Sequence, residues 1–388
     1  LARLAPLVRA VFAESPPDAA APSAGELVGL ARKALGLRRL GRDDMFALAR
    51  LLPSSAQDWT DDDFGDESLR TAWIAPTLCG TVLGPRAPGT GGLVFLRQVL
   101  PEGEPVGGPA ALVRALVARV RDLGVETRLG RPVRRLVRER ERVTGVELEG
   151  EVLQAGQVLS TLSPRRTLLD LLEPGTLPGS LEEAARTFRS RGTTALLWLA
   201  LARAPRLRGH GEAPVEHALS ATTRVALEKA ADALKYGLAP TDPWIEVRVP
   251  SHSDPALAPA GQAVAVVACH TVPHTLATRG GWTDERRAAL VEALLTRLET
   301  IAPGTRDDVL ASELCLPADL ESRFGLQGGH LHQGEQALDQ LWLQRPSLSL
   351  CRYRTPVEGL LLGGAASHPG GPLLGGAGTL AAAAALRG

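Results

Sequence analysis

The chain has 388 residues, long enough for two domains, and its 44% hydrophobic content can fill a core in each. Its 43 basic and 43 acidic side chains cancel, which removes the electrostatic case for a nucleic-acid partner. No apolar run reaches membrane-spanning length and nothing indicates membrane contact; the start has neither the apolar core nor the cleavage pattern of a signal peptide, and Cys79, Cys269, Cys315 and Cys351 have no C-x-x-C or metal-ligand spacing, so the chain reads as cytoplasmic with reduced thiols.

Residues 1–52 read as helices interrupted by a loop at 14–23, whose prolines and small residues sustain neither helix nor core. Apolar spacing predicts helices over 25–35, 43–52 and 66–75, with Asp61, Asp62 and Asp63 as a solvated loop before the last of them. After a turn-rich stretch at 80–92, Pro109 suits the first turn of a helix with Leu112, Val113, Leu116, Val117, Val120 and Leu123 on its apolar face and Gly124 as its stop. Strands are predicted over 125–129, 133–137, 143–148 and 158–161, giving one helix packed on a small sheet. From 181 to about 316 the texture is that of a second domain. Strands are predicted over 193–201, 244–249 and 263–270, and a helix over 285–301. Near-continuous apolar runs in the first and third strands predict a sheet covered on both faces.

The C-terminal end carries the most chemistry. An apolar strand over 357–362 is followed by Gly363, Gly364, Gly370, Gly371, Gly375, Gly376 and Gly378, then by a strong helix former from Leu380 to Leu386, with Thr379 as N-cap or first-turn residue. Unpaired N–H groups at such a helix start favour an anion or developing negative charge. Taken alone, the pattern fits both a backbone cradle for a ligand and a tight turn packing a helix on a sheet.

His368, beside Pro369, is the leading titratable candidate: either it faces a bound cofactor, or it pins the turn through a backbone carbonyl. His330 and His332 share a face of an extended segment, but no third metal ligand is evident. A hydrogen-bonded loop, with Glu335 and Asp339 on a following helix, is the preferred reading there, and no metal site is assigned. His270 and His274 read as structural, Arg345-Pro346 as punctuation that orients a loop, and the aromatics as core. Ser163 has no G-x-S-x-G elbow around it, so it reads as a turn residue rather than a nucleophile.

Four segments in order, Gly107-Gly-Pro-Ala-Ala-Leu-Val-Arg-Ala-Leu, Ser163-Pro-Arg-Arg-Thr-Leu-Leu-Asp-Leu-Leu, the stretch from Pro317 through Gly328-Gly-His-Leu-His-Gln-Gly-Glu, and Tyr353-Arg-Thr-Pro-Val-Glu-Gly-Leu-Leu-Leu-Gly-Gly-Ala-Ala-Ser-His-Pro-Gly-Gly, resemble phytoene desaturase-like FAD-dependent oxidoreductases. The resemblance is specific from about Gly91 onward. It implies an α/β fold in which the C-terminal parts of a Rossmann-like FAD domain are interleaved with an α+β substrate domain. The implied divisions are 1–90 (helical substrate region), 91–180 (FAD-domain helix and strands), 181–344 (substrate domain) and 345–388 (FAD motif and helix). By the same resemblance, FAD would be held by Val133 near the adenine, by Ser163 in the 161–164 loop, and by Gly363, Gly364, His368, Pro369, Gly370, Gly371, Gly376, Gly378, Thr379 and Leu380. Pro372 stands where relatives commonly carry glycine.

The family opens with a strand, a G-x-G-x-x-G turn and a helix. No such element lies near Leu1, and Met45 is the only methionine. The chain is therefore expected to be the C-terminal, substrate-binding portion of a dehydrogenase, desaturase or oxidase acting on a largely apolar small molecule. Its partner would be a small G-x-G-x-x-G FAD-binding chain or a cleaved N-terminal segment. A non-catalytic scaffold or regulatory subunit of the same fold and a flavin-dependent isomerase are the alternatives.

Overall fold

The computed structural model describes residues 3–100, 103, 105–211, 216–371 and 375–387; Pro372 lies outside them. Six helices come first: α1 (Ala5–Ala13), α2 (Ala24–Arg39), α3 (Arg42–Leu51), α4 (Ala56–Asp63), α5 (Glu67–Ile74) and α6 (Thr90–Val99). Local chemistry sets their starts. Ser23 and Glu26 form a reciprocal capping box at α2, and the Asp66 carboxylate accepts the Leu69 N–H to begin α5. The acidic cluster is not the loop expected of it. The Ser55 hydroxyl caps α4, so Asp61 to Asp63 form that helix's last turn, where Asp61 pairs with Arg70 and Arg224. Ala56, Ile74, Ala75, Leu78 and Val94 close a core with Leu227 and Trp244.

Helix α7 (Gly108–Asp122) forms where its pattern predicts, and Gly124 follows it at φ +70°. Its packing differs from the expectation. Leu112, Val113, Leu116, Val117, Val120 and Leu123 are all exposed, from 36% at Val120 to 60% at Leu123, so α7 does not bury its apolar face on the small sheet. That sheet is an antiparallel meander of β1 (Arg135–Glu139), β2 (Arg142–Leu148) and β3 (Glu151–Gln154). Residues 125–129 form no strand: Val125 and Leu129 stay exposed, and the intervening Arg128 reaches sideways to Glu126 and Glu151 instead. Next come β4 (Val158–Ser160) and α8 (Gly179–Thr187).

The next stretch contains β5 (Ala195–Leu201), β6 (His217–Ser220), α9 (Arg224–Lys235), β7 (Ile245–Arg248), β8 (Ala263–Cys269), α10 (Asp284–Ile301), β9 (Val309–Cys315) and α11 (Pro317–Phe324). Its five strands run in the order β6-β7-β8-β5-β9, all neighbours antiparallel. Leu197, Leu199 and Leu201 of β5 and Ala265 and Val267 of β8 form one buried face that shares a core with Leu290, Leu294 and Leu298 of α10. The opposite face is only partly covered. Leu196 and Trp198 are half-buried and Ala200 is exposed, with the Arg323 guanidinium over the Trp198 ring at 5.8 Å, so the predicted double-sided burial is corrected to one full face.

The last elements are β10 (Leu360–Leu362) and α12 (Gly376–Leu386). β10 pairs in parallel with β4, in register from Leu360 opposite Val158 to Leu362 opposite Ser160. Among the described residues β4 has no strand on its other edge, although parallel sheets are normally wide and covered. No helix among these residues is long and apolar enough to cross a membrane.

Candidate functional site

The glycine run between β10 and α12 divides by what a side chain would meet. A Cβ on Gly363 would lie 2.7 Å from the Ala381 Cβ, and one on Gly364 only 2.1 Å from the Thr161 carbonyl oxygen. These two glycines let α12 and the turn after β4 close onto β10. On Gly370 a Cβ would come 2.7 Å from Arg345 Nε, and on Gly371 2.8 Å from the His332 Cβ. Gly375 and Gly378 are different: among the described residues nothing lies within 4 Å of a Cβ at either.

Helix α12 starts at Gly376, earlier than the expected start near Thr379. Gly375 takes φ +74°, a left-handed conformation that costs glycine little, and so turns the chain into the helix ahead of Thr379. Thr379 lies in the first turn, donating its hydroxyl to the Gly375 carbonyl at 2.9 Å, with Leu380 beside it. Among the described residues no side chain caps the α12 N-terminus. The helix thus presents its positive dipole end next to glycines with open space among those residues.

His368 is fully buried before a cis peptide to Pro369. Its Nε2 donates to the Glu14 carbonyl at 3.1 Å, the Tyr353 hydroxyl donates to its own carbonyl at 3.1 Å, and the Phe12 ring lies 5.8 Å away. Of the two roles left open for it, the geometry has the backbone-pinning one, reaching the loop after α1. Among the described residues Nδ1 meets no partner within hydrogen-bond geometry, and burial lowers the imidazole pKa to about 4, leaving a neutral ring.

Arg345 is buried completely, with no carboxylate on its guanidinium. Nη1 donates to the carbonyls of Glu335 (3.2 Å) and Gln340 (3.4 Å), and Nη2 to those of His332 (3.4 Å), Gly334 (3.5 Å) and Ala365 (2.9 Å). One side chain thus ties the 330–340 loop to the turn after β10. This also explains why Glu335 and Asp339 do not lie on the helix expected for them. The Glu335 carbonyl serves Arg345 and the Gln340 amide rather than a helical N–H, leaving Glu335 in irregular backbone and Asp339 in a single turn at 338–340. Burial acts to raise the Glu335 pKa, but the Arg191 fork and Arg189 outweigh it and hold the carboxyl below its usual range.

The two histidines of the 328–334 segment divide their work. His330 Nε2 donates to the Gly80 carbonyl at 3.0 Å and Nδ1 accepts from the His332 and Gly334 N–H groups, so both nitrogens are in use. The His332 ring packs between Gly80 and Gly371 and lines an apolar cavity of about 160 Å³ with Phe12, Leu93, Leu96 and Leu341. Burial lowers His330 to about 4, and burial with the nearby His330 and Arg345 lowers His332 to about 3. Val133 is half-buried against the β1–β4 core, and the Ser163 hydroxyl accepts the Arg166 N–H at 3.2 Å, which is a turn-capping contact.

A second polar cluster was not legible in the sequence. Glu246 on β7, His270 at the end of β8 and Cys79 after α5 converge, with His270 Nε2 2.9 Å and Cys79 Sγ 4.0 Å from Glu246 Oε2. Burial pushes the His270 pKa down, but Cys79 and Glu246 outweigh it and raise the imidazole to about 10. The one available signal was Glu246 itself, an acid inside an apolar strand. His274, by contrast, bonds Glu321 at 2.7 Å near the surface.

The fold and this geometry have known counterparts. Residues 27–385 match the family described as flavin containing amine oxidoreductase. The chain is 31% identical over 341 residues to the rat protein named pyridine nucleotide-disulfide oxidoreductase domain-containing protein 2, covering 83% of this chain and 58% of that one. It is 28% identical over 311 residues to a zeta-carotene-forming phytoene desaturase of Myxococcus xanthus, covering 79% and 57%. Among solved structures, an oxidoreductase from Methanosarcina mazei aligns with a TM-score of 0.56 at 18% identity, over 86% of this chain and 68% of that one. A putrescine oxidase bound to putrescine aligns at 0.52 and 14%, over 100% and 85%. The chain belongs to the flavin-containing amine oxidoreductase family. It spans 58% of the length of the rat relative and 57% of the bacterial desaturase.

The cofactor is FAD, as the family's flavin-containing character indicates. Among the described residues, the start of α12 has no side-chain cap and the space over Gly375 and Gly378 is open, a donor set chemically compatible with an electron-rich cofactor edge. The earlier glycines instead serve the close packing that positions this helix.

Proposed function

We propose that this chain is the C-terminal, substrate-binding part of an FAD-dependent oxidoreductase, acting on a largely apolar small molecule and completed by a G-x-G-x-x-G FAD-binding segment. That segment would be a separate chain or a cleaved N-terminal piece. The observation carrying the flavin role is the open, uncapped N-terminus of α12. Bound FAD supplies acceptance of a hydride from a C–H or C–N bond. The α12 N–H groups favour negative charge placed over them, and Arg345 holds the 330–340 loop against the turn that leads there. The neutral His332 ring and its leucine neighbours give a water-poor cavity wall that suits an apolar substrate, in keeping with a carotenoid-forming relative.

Support for the missing segment comes from surfaces that want covering. The apolar face of α7 is exposed along its length, and β4 has an unpaired edge on which a parallel strand could add. The unpaired thiols favour a cytoplasmic setting.

Protein isolated from its native host should be yellow and should carry the G-x-G-x-x-G segment on a gel. Gly378→Val, which fills the open space beside α12, should weaken flavin retention at least about tenfold without altering the far-ultraviolet circular dichroism. Leu116→Glu on α7 should release the companion segment at equal expression. Flavin absent even when that segment is bound would favour the scaffold alternative, and flavin that cycles without net oxidation would favour the isomerase.

A further inference from the structure

We propose that Cys79, Glu246 and His270 form a binding site for a divalent transition-metal cation of the zinc class, with Thr194, Arg248 and His217 as its supporting shell. Three observations point to it. First, the Cys79 Sγ, a Glu246 carboxylate oxygen and a His270 ring nitrogen all lie within 4.8 Å of one another. Tetrahedral zinc with bonds of about 2.3 Å to sulfur and about 2.0–2.2 Å to nitrogen and oxygen sets its ligand atoms roughly 3.3–3.8 Å apart. A bound ion would draw the three ligand atoms together from their present separations, all within 4.8 Å, to that spacing.

Second, the groups behind the ligands leave the inward atoms free to coordinate. Thr194 Oγ1 lies 3.0 Å from His270 Nδ1 and can accept its proton, fixing the tautomer whose Nε2 lone pair faces Glu246 and Cys79. Arg248 Nε at 2.7 Å and His217 Nε2 at 2.9 Å occupy the Glu246 Oε1, which turns Oε2 toward the other two ligands. A bound cation would stand between His270 Nε2 and Glu246 Oε2, which face each other at 2.9 Å.

Third, an unpaired polar atom lines the adjoining cavity. Cys79, Thr193, Thr194, His270, His330 and His332 line one small cavity, and the Thr193 hydroxyl, 2% exposed, has no hydrogen-bond partner among the described residues. A water on the metal would satisfy it. A thiolate and a carboxylate neutralise a dication, and the sulfur–nitrogen pair selects zinc over magnesium or calcium. Binding at this site does not require flavin.

The test uses the purified full chain, stripped with a chelator and titrated with zinc against a chromophoric chelator that absorbs beyond the flavin bands. About one equivalent should bind. Cys79→Ser and His270→Gln should each weaken binding at least about tenfold, while His274→Gln should not change it. Because a buried substitution can unfold the protein, a wild-type measurement stands beside these: zinc, but not magnesium, should slow alkylation of Cys79 as read by mass spectrometry. Absence of stoichiometric binding, wild-type affinity in Cys79→Ser, or alkylation of Cys79 at the same rate with and without zinc would overturn the site.

Discussion

Arg345→Ala is expected to destabilise the protein by about 3–5 kcal/mol, read as a fall in the urea midpoint at unchanged slope. The guanidinium is the sole side-chain donor reaching the carbonyls of His332, Gly334, Gln340 and Ala365 in the contacts described above, and it shares that of Glu335 with the Gln340 side-chain amide. Truncation leaves these oxygens buried and adds a void beneath the Phe188 ring, which the guanidinium carbon approaches to 5.8 Å. Burial lowers the Arg345 pKa to about 10, so the group stays charged at neutral pH, and the carbonyls together with the Phe188 ring face offset its burial. Arg345→Lys should recover little, because an ammonium is a point charge that cannot span carbonyls on two sides of a planar fork. A loss below about 1 kcal/mol in the alanine variant would contradict this role.

Acid should loosen the same region before it titrates the carboxylates. His330, His332 and His368 have folded-state pKa values near 4, 3 and 4, below the ordinary 6.5. As pH falls below 6.5, the unfolded chain binds protons that the folded chain refuses, so stability declines until the folded values are reached. At about 1.4 kcal/mol per pH unit for each histidine, the three together should remove several kcal/mol between about pH 6.5 and pH 4. Glu335 contributes in a lower window: its folded pKa is depressed, so its stabilisation is present above its ordinary 4.5 and is lost as pH falls beneath that. The denaturant midpoint should therefore drop between about pH 6.5 and pH 5, and the double variant His330→Gln, His332→Gln should flatten that slope. A midpoint constant across this interval in the wild type would show that the rings are not held neutral.

What could be seen in the sequence was mostly local. The capping box at Ser23 and Glu26, the Asp66 cap and the 3.6-residue pattern of α7 and α10 depend on neighbours in the chain, and those helices appear where the pattern places them. Strand pairing depends on distant partners. Val125 and Leu129 looked like strand residues but stay exposed, with the Val125 N–H bonded back to Val120 and no strand partner among the described residues, while β6 and β9, which carry little apolar signal, are recruited by their neighbours β7 and β5. The glycines were legible as a group, but not their division into close-packing and open positions, because what each faces comes from elsewhere: Thr161, Arg345, His332 or open space. The Cys79, Glu246 and His270 meeting was hidden for the same reason, since it joins three positions far apart in sequence.

The contacts of His368 and Arg352 bear on how the protein is made. His368 reaches Glu14 across 354 positions, and Arg352 reaches Asp18 and Glu26 across 334 and 326. During translation α1 can bury Leu4 and Ala5 against Phe95 and Val99 early, but Phe12 and the Glu14 carbonyl gain their His368 contacts only after the chain has run on past residue 368. Docking of the loop after α1 should consequently be a late event in maturation, with that loop open to proteolysis until the turn around His368 has emerged.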